Sequence, residues 1–432
     1  MVKLALLWHM HQPNYEDLAT GEHILPWVRM HGIKDYWGMV AMLEAFPAMR
    51  VTFNLVPSLL QQIQAFADDR ARDPHLELGL KPADQLAPEE ARWLVANGFH
   101  APYATMIAPY PRYAQLHAWR LERRSFTAAD LRDLQVWHKL AWMDPDLLST
   151  DARLVDLVTK GRGFSEGEKQ QLREVELDIL RRVIPAYRAA AASGHVELST
   201  SPFYHPILPL LCDSEIHLRA QPGAARPRLR FRRPEDARMQ IDRAVAFHQQ
   251  MLGTRPSGMW PSEGSVSDEA VAMMADAGLS WMATDQDILA RTLNTPVTAE
   301  MLYRPYRCGE QGPTVLFRDH ALSDRVGFHY QSWDAQAAAD DFVQCLRDAG
   351  RAFSETTGGE VATIPVILDG ENAWEYYPGG GRPFLRALYR ALSDAPDIQT
   401  VTMAEAAAGP VRSLPSIFPG SWINGDFSIW IG

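Results

Sequence analysis

The sequence predicts an α/β protein whose strands form an incomplete or distorted TIM-like barrel. Strand patterns alternate with helix patterns along most of the chain, the order expected of parallel βα units, and one long helical stretch interrupts it. A doubly wound open sheet is the alternative, but no G-x-G-x-x-G sequence follows the first strand. With 432 residues, 47% of them hydrophobic, the chain is long enough to bury a large core.

Seven short runs of apolar or β-branched residues are predicted to be the barrel strands, and a further strand-like run lies at 398–402. The seven are 3–8, 50–54, 195–200, 257–260, 280–284, 314–318 and 362–368. Helices are predicted at 57–66, 127–143, 165–194, 234–252, 267–277 and 334–355. Pro57 at a first helical turn, and Ser165 with Glu168 three residues later, are signals of a helix start.

These patterns divide the chain into four regions. Residues 1–67 are the N-terminal part of the barrel, and residues 68–193 are a large helical insertion, because strand candidates are few there. Insertions carried on barrel loops often form one wall of a cleft, so this one is predicted to be a lid or subsite wall. Residues 194–408 complete the barrel. Residues 409–432 begin a helical and aromatic extension, which either docks in the fold or continues into a longer protein.

Charge and composition exclude several classes of function. The formal net charge of −11 argues against a nucleic-acid partner, since phosphate binding requires clustered Lys and Arg. We interpret the basic run at 226–233 as a solvated loop. No run of about 18 or more apolar residues occurs, so no membrane partner is expected. Three widely separated cysteines imply no disulfide framework, and we expect a cytoplasmic protein.

The polar clusters of the sequence follow predicted strands, where a parallel barrel places its catalytic face. His9 and His11 come after the first strand, two residues apart, so that both point the same way in an extended segment. They could bind a metal with help from His205 or His320, donate hydrogen bonds to a ligand, or pack structurally. Arg318, with the neighbouring Asp319 and His320, ends another strand as a further polar cluster.

Two further clusters supply carboxylates. Glu263 lies between Trp260 and a predicted helix that Ser267 caps, where an apolar neighbour raises a carboxyl pKa and helix amides lower it. The alternative is that Glu263 is a second cap of that helix. Asp369 directly follows a buried strand, and Glu371 would project to the same side if the strand continued. Such acids are either paired structurally or functional.

Five long motifs in this order resemble glycoside hydrolase family 57, in particular its amylopullulanase-like members. They are HMHQP at 9–13, GHVELSTSPFYHPILPLL at 194–211, GMWPSEGSVS at 258–267, RDHALSDRVGF at 318–328 and DGENAWEYYP at 369–378. The segment PGSWINGDFSIWIG at 419–432 is a further match.

The resemblance implies a distorted (β/α)7 barrel and a retaining enzyme that hydrolyses α-1,4 bonds of α-glucans, with α-1,6 bonds as a further target. It implies no cofactor and no metal. It assigns the nucleophile to Glu263 and the general acid/base to Asp369. Residues expected to contact the sugar are His9, His11, His205, Trp260, Asp319, His320, Glu371, Trp374 and Trp422. The family continues into a C-terminal helical region that completes the cleft, and the chain is expected to stop where that region begins.

Other functions stay open on the sequence alone. A 4-α-glucanotransferase or a branching enzyme would use the same two carboxylates and differ only in what accepts the sugar. A metal-dependent polysaccharide deacetylase would use His9, His11 and His205 as metal ligands. A non-catalytic glycan-binding module would bind glucan without turnover. The sequence makes no prediction of oligomeric state.

Overall fold

The computed structural model describes residues 1–431, which form a mixed α/β fold with ten strands in two mainly parallel sheets. The strands are β1 (Val2–Met10), β2 (Val51–Leu55), β3 (Val196–Ser199), β4 (Gly258–Met259), β5 (Trp281–Asp285), β6 (Tyr306–Cys308), β7 (Thr314–Arg318), β8 (Ala362–Asp369), β9 (Ile398–Val401) and β10 (Arg412–Leu414). Each predicted strand overlaps an observed one. Gly432, the last residue of the predicted extension, lies outside the described residues.

Eleven helices within residues 1–431 have eight or more residues. They are α1 (Pro57–Ala67), α2 (Pro88–Asn97), α3 (Pro111–Leu121), α4 (Ala128–Leu140), α5 (Ala152–Lys160), α6 (Glu166–Ala192), α7 (Pro234–Leu252), α8 (Asp268–Asp276), α9 (Gln286–Leu293), α10 (Ala335–Thr357) and α11 (Arg382–Asp394). Shorter helical segments are Trp27–His31, Gly32–Tyr36, Trp37–Ala41, Met42–Ala45, Pro74–Leu80, Ala83–Gln85, Tyr103–Ile107, Leu147–Thr150, Leu208–Cys212, Ser214–Ile216, His217–Ala220, Ser262–Gly264, Ala299–Leu302, His320–Asp324, Arg325–His329, Tyr330–Ser332, Pro378–Gly381, Met403–Ala407 and Ser428–Ile431.

The first sheet has the strand order β3–β2–β1–β8, and β9 also pairs with β1. Nearly every residue of β1 is buried, as expected of a parallel strand covered on both faces. Its register places His9 beside Asp369 of β8 on one side and beside Asn54 of β2 on the other. Three polar residues therefore meet at the carboxyl end of this sheet.

The second sheet has the order β10–β6–β7–β5–β4. Strands β6 and β10 were not predicted, because each has only three residues and they pair with each other at the edge of the sheet. Continuous pairing between strands occurs only within each sheet. One isolated parallel bridge, between Thr200 and Met259, joins the two sheets. A closed barrel stays a prediction.

Residues 68–193 contain helices and no strand, and buried ion pairs hold this region to the segment after β1. Glu176 of α6 is fully buried and contacts Arg29 Nη1 at 2.6 Å and Lys139 Nζ at 2.7 Å. Arg29 Nε also contacts Asp73 at 2.7 Å. Burial would raise the pKa of Glu176, but the surrounding cations outweigh it and lower that pKa. The helical region is thereby fixed beside the first sheet.

Within residues 1–431, no helix combines the length and the apolar character needed to cross a membrane. The described part of the C-terminal extension docks in the fold. Gly420 forms an antiparallel bridge with Val266, and β10 pairs with β6. Trp422 and the segment that carries Glu263 are thereby brought together.

Candidate active site

Three histidines from two segments stack at the carboxyl end of the first sheet. The ring centroids of His11 and His205 lie 3.8 Å apart, and those of His9 and His205 lie 5.1 Å apart. His9 Nδ1 donates to Asn54 Oδ1 at 2.8 Å, which fixes its ring. Burial lowers the pKa of all three, that of His11 to about 3, so the rings are uncharged at neutral pH.

Two of these rings carry a buried nitrogen without a partner among the described residues, namely His11 Nδ1 and His205 Nε2. A buried nitrogen of this kind is available to a ligand that enters the site. Two other groups of side chains within residues 1–431 are close enough to share a metal ion, and neither contains these histidines. The stacked arrangement therefore supports hydrogen bonding to a ligand better than it supports metal ligation.

Glu263 lies in a single helical turn, Ser262–Gly264, just after β4. Its φ of 56° is in the left-handed region, which a residue other than glycine adopts at a cost on the order of 1 kcal/mol or more. Trp422 holds it there, because the Trp422 backbone N–H donates to Glu263 O and its indole Nε1–H donates to Glu263 Oε2, both at 2.9 Å. His205 Nδ1 is 3.7 Å from Oε1, the other carboxylate oxygen.

Burial, and after it the charge of Asp369, raise the pKa of Glu263 to about 7, although the Trp422 hydrogen bond lowers it. The two carboxylates are thus electrostatically linked. The Glu263 carboxylate bonds to Trp422 and makes no bond to the N-terminus of α8 among the described residues, where the Ser267 side chain caps the helix by accepting from Ala270 N.

Asp369 ends β8 and borders a cavity of about 260 Å³ that is also lined by Trp422, Arg318 and Phe328. Its carboxylate accepts a bond from Asn372 Nδ2 at 2.9 Å rather than pairing with a cation. The cavity therefore has one free acid at its wall and, through Trp422, contact with the second acid. Glu263 itself does not line this cavity.

Glu371 lies behind this site and is fully buried. Its Oε1 accepts bonds from His11 N at 3.0 Å and from Tyr36 Oη at 3.3 Å, and its Oε2 has no partner among the described residues. Burial, followed by the charge of Asp369, raises the pKa of Glu371 well above its usual value. Burial therefore favours the neutral form of Glu371, which orients the backbone of His11.

Two predicted sugar contacts are corrected by the structure. Trp374 has no exposed surface, and its Nε1 donates to Gly370 O at 2.7 Å, so it is a core residue. Asp319 is buried with both oxygens occupied, since Oδ1 accepts from Leu322 N and Oδ2 accepts from Tyr303 Oη. The sequence pattern placed polar and aromatic residues after strands. It could not show which of them would be buried in the core.

The remaining predicted contacts lie at or near the cavity. Trp260 is as fully buried as Trp374 and packs edge to face against Trp422, with ring centroids 5.3 Å apart, so it supports that ring and has no exposed surface of its own for a sugar. His320 is partly exposed, and its Nε2 is 3.0 Å from Asp324 Oδ2, a residue that lines the cavity.

Two residues that line this cavity, Arg318 and Asn372, were not among the predicted sugar contacts. Arg318 lies 5.3 Å from the centre of the Trp422 ring and pairs with Asp285 and Asp324, which fixes Trp422 from its other side. Asn372 bonds to Asp369. Its position three residues after an aspartate that ends a strand was the available signal.

The model of the family described as glycosyl hydrolase family 57 matches residues 5–415. The α-amylase AmyC of Thermotoga maritima is 15% identical, with a TM-score of 0.61, over 99% of this chain and 78% of that one. A family 57 branching enzyme of Thermococcus kodakaraensis is 16% identical, with a TM-score of 0.62, over 100% and 76% of the two chains. The 4-α-glucanotransferase of Thermococcus litoralis is 15% identical, with a TM-score of 0.53, over 97% and 42%. These similarities show a shared fold. None of the curated proteins matches the sequence.

Proposed function

Because the chain belongs to glycoside hydrolase family 57, we propose that it is a retaining enzyme acting on α-glucans, with Glu263 as nucleophile and Asp369 as general acid/base. The observation that carries the proposal is the convergence of these two acids from separate sheets. His9 lies beside Asp369 in the register of β1 and β8, its ring centroid is 5.1 Å from that of His205, and His205 Nδ1 is 3.7 Å from Glu263 Oε1. Retaining enzymes hold their two carboxyl groups about 5 to 5.5 Å apart. A carboxyl whose pKa is raised by burial beside a second acid is typical of such sites.

In the proposed reaction, Glu263 attacks the anomeric carbon while Asp369 gives its proton to the glycosidic oxygen, so that the bond to the leaving sugar breaks. Asp369 then accepts a proton from water or from an acceptor hydroxyl, whose oxygen attacks the anomeric carbon and releases Glu263. His9, His11 and His205 are proposed to donate hydrogen bonds to the bound sugar. Trp422 holds the nucleophile and forms one wall of the cavity that Asp369 borders.

The raised pKa of Glu263 also supports the reverse assignment, in which Glu263 is the acid and Asp369 the nucleophile. We favour Asp369 as the acid because Asn372, its bonding partner, borders a second, larger cavity where a leaving sugar could lie. A general acid must face the leaving group, whereas a nucleophile lies on the opposite side of the reacting carbon.

The proposal includes a distorted (β/α)7 barrel as the frame of the cleft. Two contacts between the sheets support it. Thr200 after β3 bridges Met259 of β4, and the N–H of Asp319 after β7 donates to Pro365 O of β8 at 2.9 Å. The seven strands that the sequence predicted would then form one ring. We also propose that the protein is located in the cytoplasm.

Hydrolysis of α-1,4 and α-1,6 bonds, in the manner of an amylopullulanase, is the specific activity that we propose. Similarity to an α-amylase, a branching enzyme and a 4-α-glucanotransferase supports α-glucans as the substrate. It does not identify whether water or another glucan accepts the glycosyl group. Product analysis on amylose, pullulan and maltotriose tests this. Short linear products from all three support the hydrolase, whereas longer oligosaccharides from maltotriose, or new branches in amylose, would replace it with a transferase or a branching enzyme.

The pH profile is expected to have an acidic limb near pH 7. The nucleophile must be ionised, and the raised pKa of Glu263, about 7, keeps this carboxyl protonated below that pH, so kcat/KM falls as the pH drops. Measuring kcat/KM on maltooligosaccharides from about pH 5 to pH 9 checks this. A fall as the pH rises through 7 would indicate that Glu263 is the acid, and a limb below pH 5 would contradict the buried environment of Glu263.

Trp422→Phe is expected to move this limb to higher pH. The variant keeps an aromatic ring but loses the indole N–H that bonds to Glu263 Oε2, and this bond lowers the pKa of Glu263. Activity on the acidic side of the limb should fall about three- to tenfold, with less change above it. Trp430→Phe is the matched control, because the Trp430 indole donates to Ser421 instead. An unchanged limb in Trp422→Phe would contradict the assignment.

A further inference from the structure

A third cavity lies in the helical region and is separate from the site described above. Its volume is about 490 Å³, within the roughly 300–1,000 Å³ of typical small-molecule sites. The start of α3, the end of α5 and a part of α4 form its walls. It shares no lining residue with the two cavities that Asn372 borders. The proposed reaction therefore gives it no role.

The wall of this cavity carries three cationic side chains, those of Arg112, Lys160 and Arg162, and no carboxylate. The whole chain has a formal net charge of −11, so a wall without acids runs against its overall charge. Arg112 and Lys160 pair with acids that do not line the cavity, namely Asp130, Asp133 and Glu168. Arg162 is exposed, and it forms no ion pair within residues 1–431. Its charge is therefore left for a ligand.

The polar side-chain groups left free at this wall are mainly hydrogen-bond donors. Gln115 Oε1 accepts a bond from Arg112 Nη1 at 2.7 Å, so the amide N–H groups of Gln115 are left to donate. The Arg162 guanidinium carries donors only. Thr159 adds a hydroxyl, which donates or accepts. A group rich in acceptor oxygens, such as a phosphate, matches this wall.

Two aromatic rings form the apolar part of the wall. Tyr110 and Trp137 lie with their ring centroids 4.8 Å apart and their planes at 32°. Trp137 is buried, and its Nε1 donates to Gly161 O at 2.8 Å, which fixes the backbone next to Arg162. Tyr110 is half-buried and supplies the accessible ring. A flat ring, or the apolar face of a sugar, packs well on such a surface.

The charge and the rings together favour one class of ligand over simpler ones. A metal cation would be repelled by the three cationic side chains. An inorganic phosphate would meet Arg162 but would leave the rings uncovered. A neutral glucan would pack on the rings but would gain nothing from the charge of Arg162. A molecule that carries both a phosphate and a ring uses the whole wall.

We infer that this cavity binds a small organic phosphate that carries a ring, with its phosphate at Arg162 and its ring at Tyr110. A sugar phosphate and a mononucleotide share this chemistry. The phosphate accepts charge-assisted bonds from the guanidinium, which are roughly twice as strong as neutral hydrogen bonds. The cavity is separate from Glu263 and Asp369, so the inference does not depend on the proposed function.

Calorimetric titration of the purified wild-type protein tests the inference. Glucose 1-phosphate is compared with glucose, and AMP with adenosine, so that each pair differs only by the phosphate. We expect at least one of the two phosphates to bind, and its uncharged counterpart to bind about tenfold or more weakly. The tighter of the two phosphates identifies the ring as a sugar or a nucleobase. Inorganic phosphate should bind more weakly than that ligand, because it makes no contact with Tyr110.

Arg162→Ala is expected to weaken the binding of that phosphate about tenfold or more. Arg162 is exposed, so its truncation leaves the core intact. Arg92→Ala is the matched control and should leave the affinity unchanged, because Arg92 is another exposed arginine of the helical region and does not line the cavity. Gln115→Glu places a carboxylate in the wall and should also weaken binding, through repulsion between like charges.

Absence of binding by both glucose 1-phosphate and AMP would overturn the inference. Equal binding of the uncharged counterpart would remove the role of the phosphate and overturn it too, and equal binding of inorganic phosphate would remove the role of the ring. Wild-type affinity in Arg162→Ala would place the bound molecule outside this cavity. None of these outcomes bears on Glu263 and Asp369, whose assignment is tested by turnover.

Discussion

Glu263→Ala is expected to lower kcat on maltooligosaccharides by roughly 10⁴-fold or more while the protein stays folded. Without this carboxylate no covalent glycosyl-enzyme can form, and water on the vacated side is too weak a nucleophile to replace it without a general base there. The measurement is kcat of purified protein, with circular dichroism to confirm folding. A folded variant with wild-type activity would contradict the assignment of the nucleophile.

The backbone of Glu263 provides a matched control. Its φ of 56° favours glycine over any residue with a Cβ, so Glu263→Gly should be more stable than Glu263→Ala by roughly 1 kcal/mol and equally inactive. Equal inactivity at different stability separates the loss of chemistry from a loss of fold. Azide should restore turnover on α-glucosyl fluoride in either variant and give a β-glucosyl azide, because it attacks from the vacated side.

Asp369→Ala is expected to lower kcat/KM on maltooligosaccharides by roughly 10³-fold or more, but far less on α-glucosyl fluoride. A sugar leaving group needs a proton from Asp369, whereas fluoride leaves with little assistance. The measurement compares the two substrates in wild type and variant. A uniform loss on both substrates would indicate that Asp369 acts as the nucleophile or only supports the site.

Glu371→Gln is the matched control for Asp369, two residues away on the same segment. Glu371 is buried and its pKa is raised, so burial favours the neutral carboxyl, which glutamine imitates. The bonds from His11 N and Tyr36 Oη to the remaining oxygen can persist. We expect a loss of less than about tenfold. A loss as large as that of Asp369→Ala would make Glu371 the acid.

The strands that frame the site were predictable because burial on both faces leaves a continuous apolar run, as in β1 and β8. The clustering of His9, Glu263 and Asp369 followed from their positions after such runs. Strands β6 and β10 were not predictable, since three-residue strands at a sheet edge have too little pattern.

Other features depend on contacts between distant parts of the chain. The sequence could not distinguish Trp374, whose indole serves the core, from Trp422, whose indole bonds to Glu263. The capping role of Asp319 required knowledge of the helix at His320–Asp324. The larger cavity combines Trp27, Trp142 and Tyr376, which only the folded chain brings together.

The most direct test of the central claim is to trap the glycosyl-enzyme. Wild-type protein is incubated with 5-fluoro-α-glucosyl fluoride, which forms the covalent intermediate faster than it releases it, and is then digested and examined by mass spectrometry. We predict that one added 5-fluoroglucosyl group is found on the peptide that contains Glu263. A label on Asp369 would reverse the two roles, and inactivation without any labelled carboxylate would contradict the double-displacement mechanism.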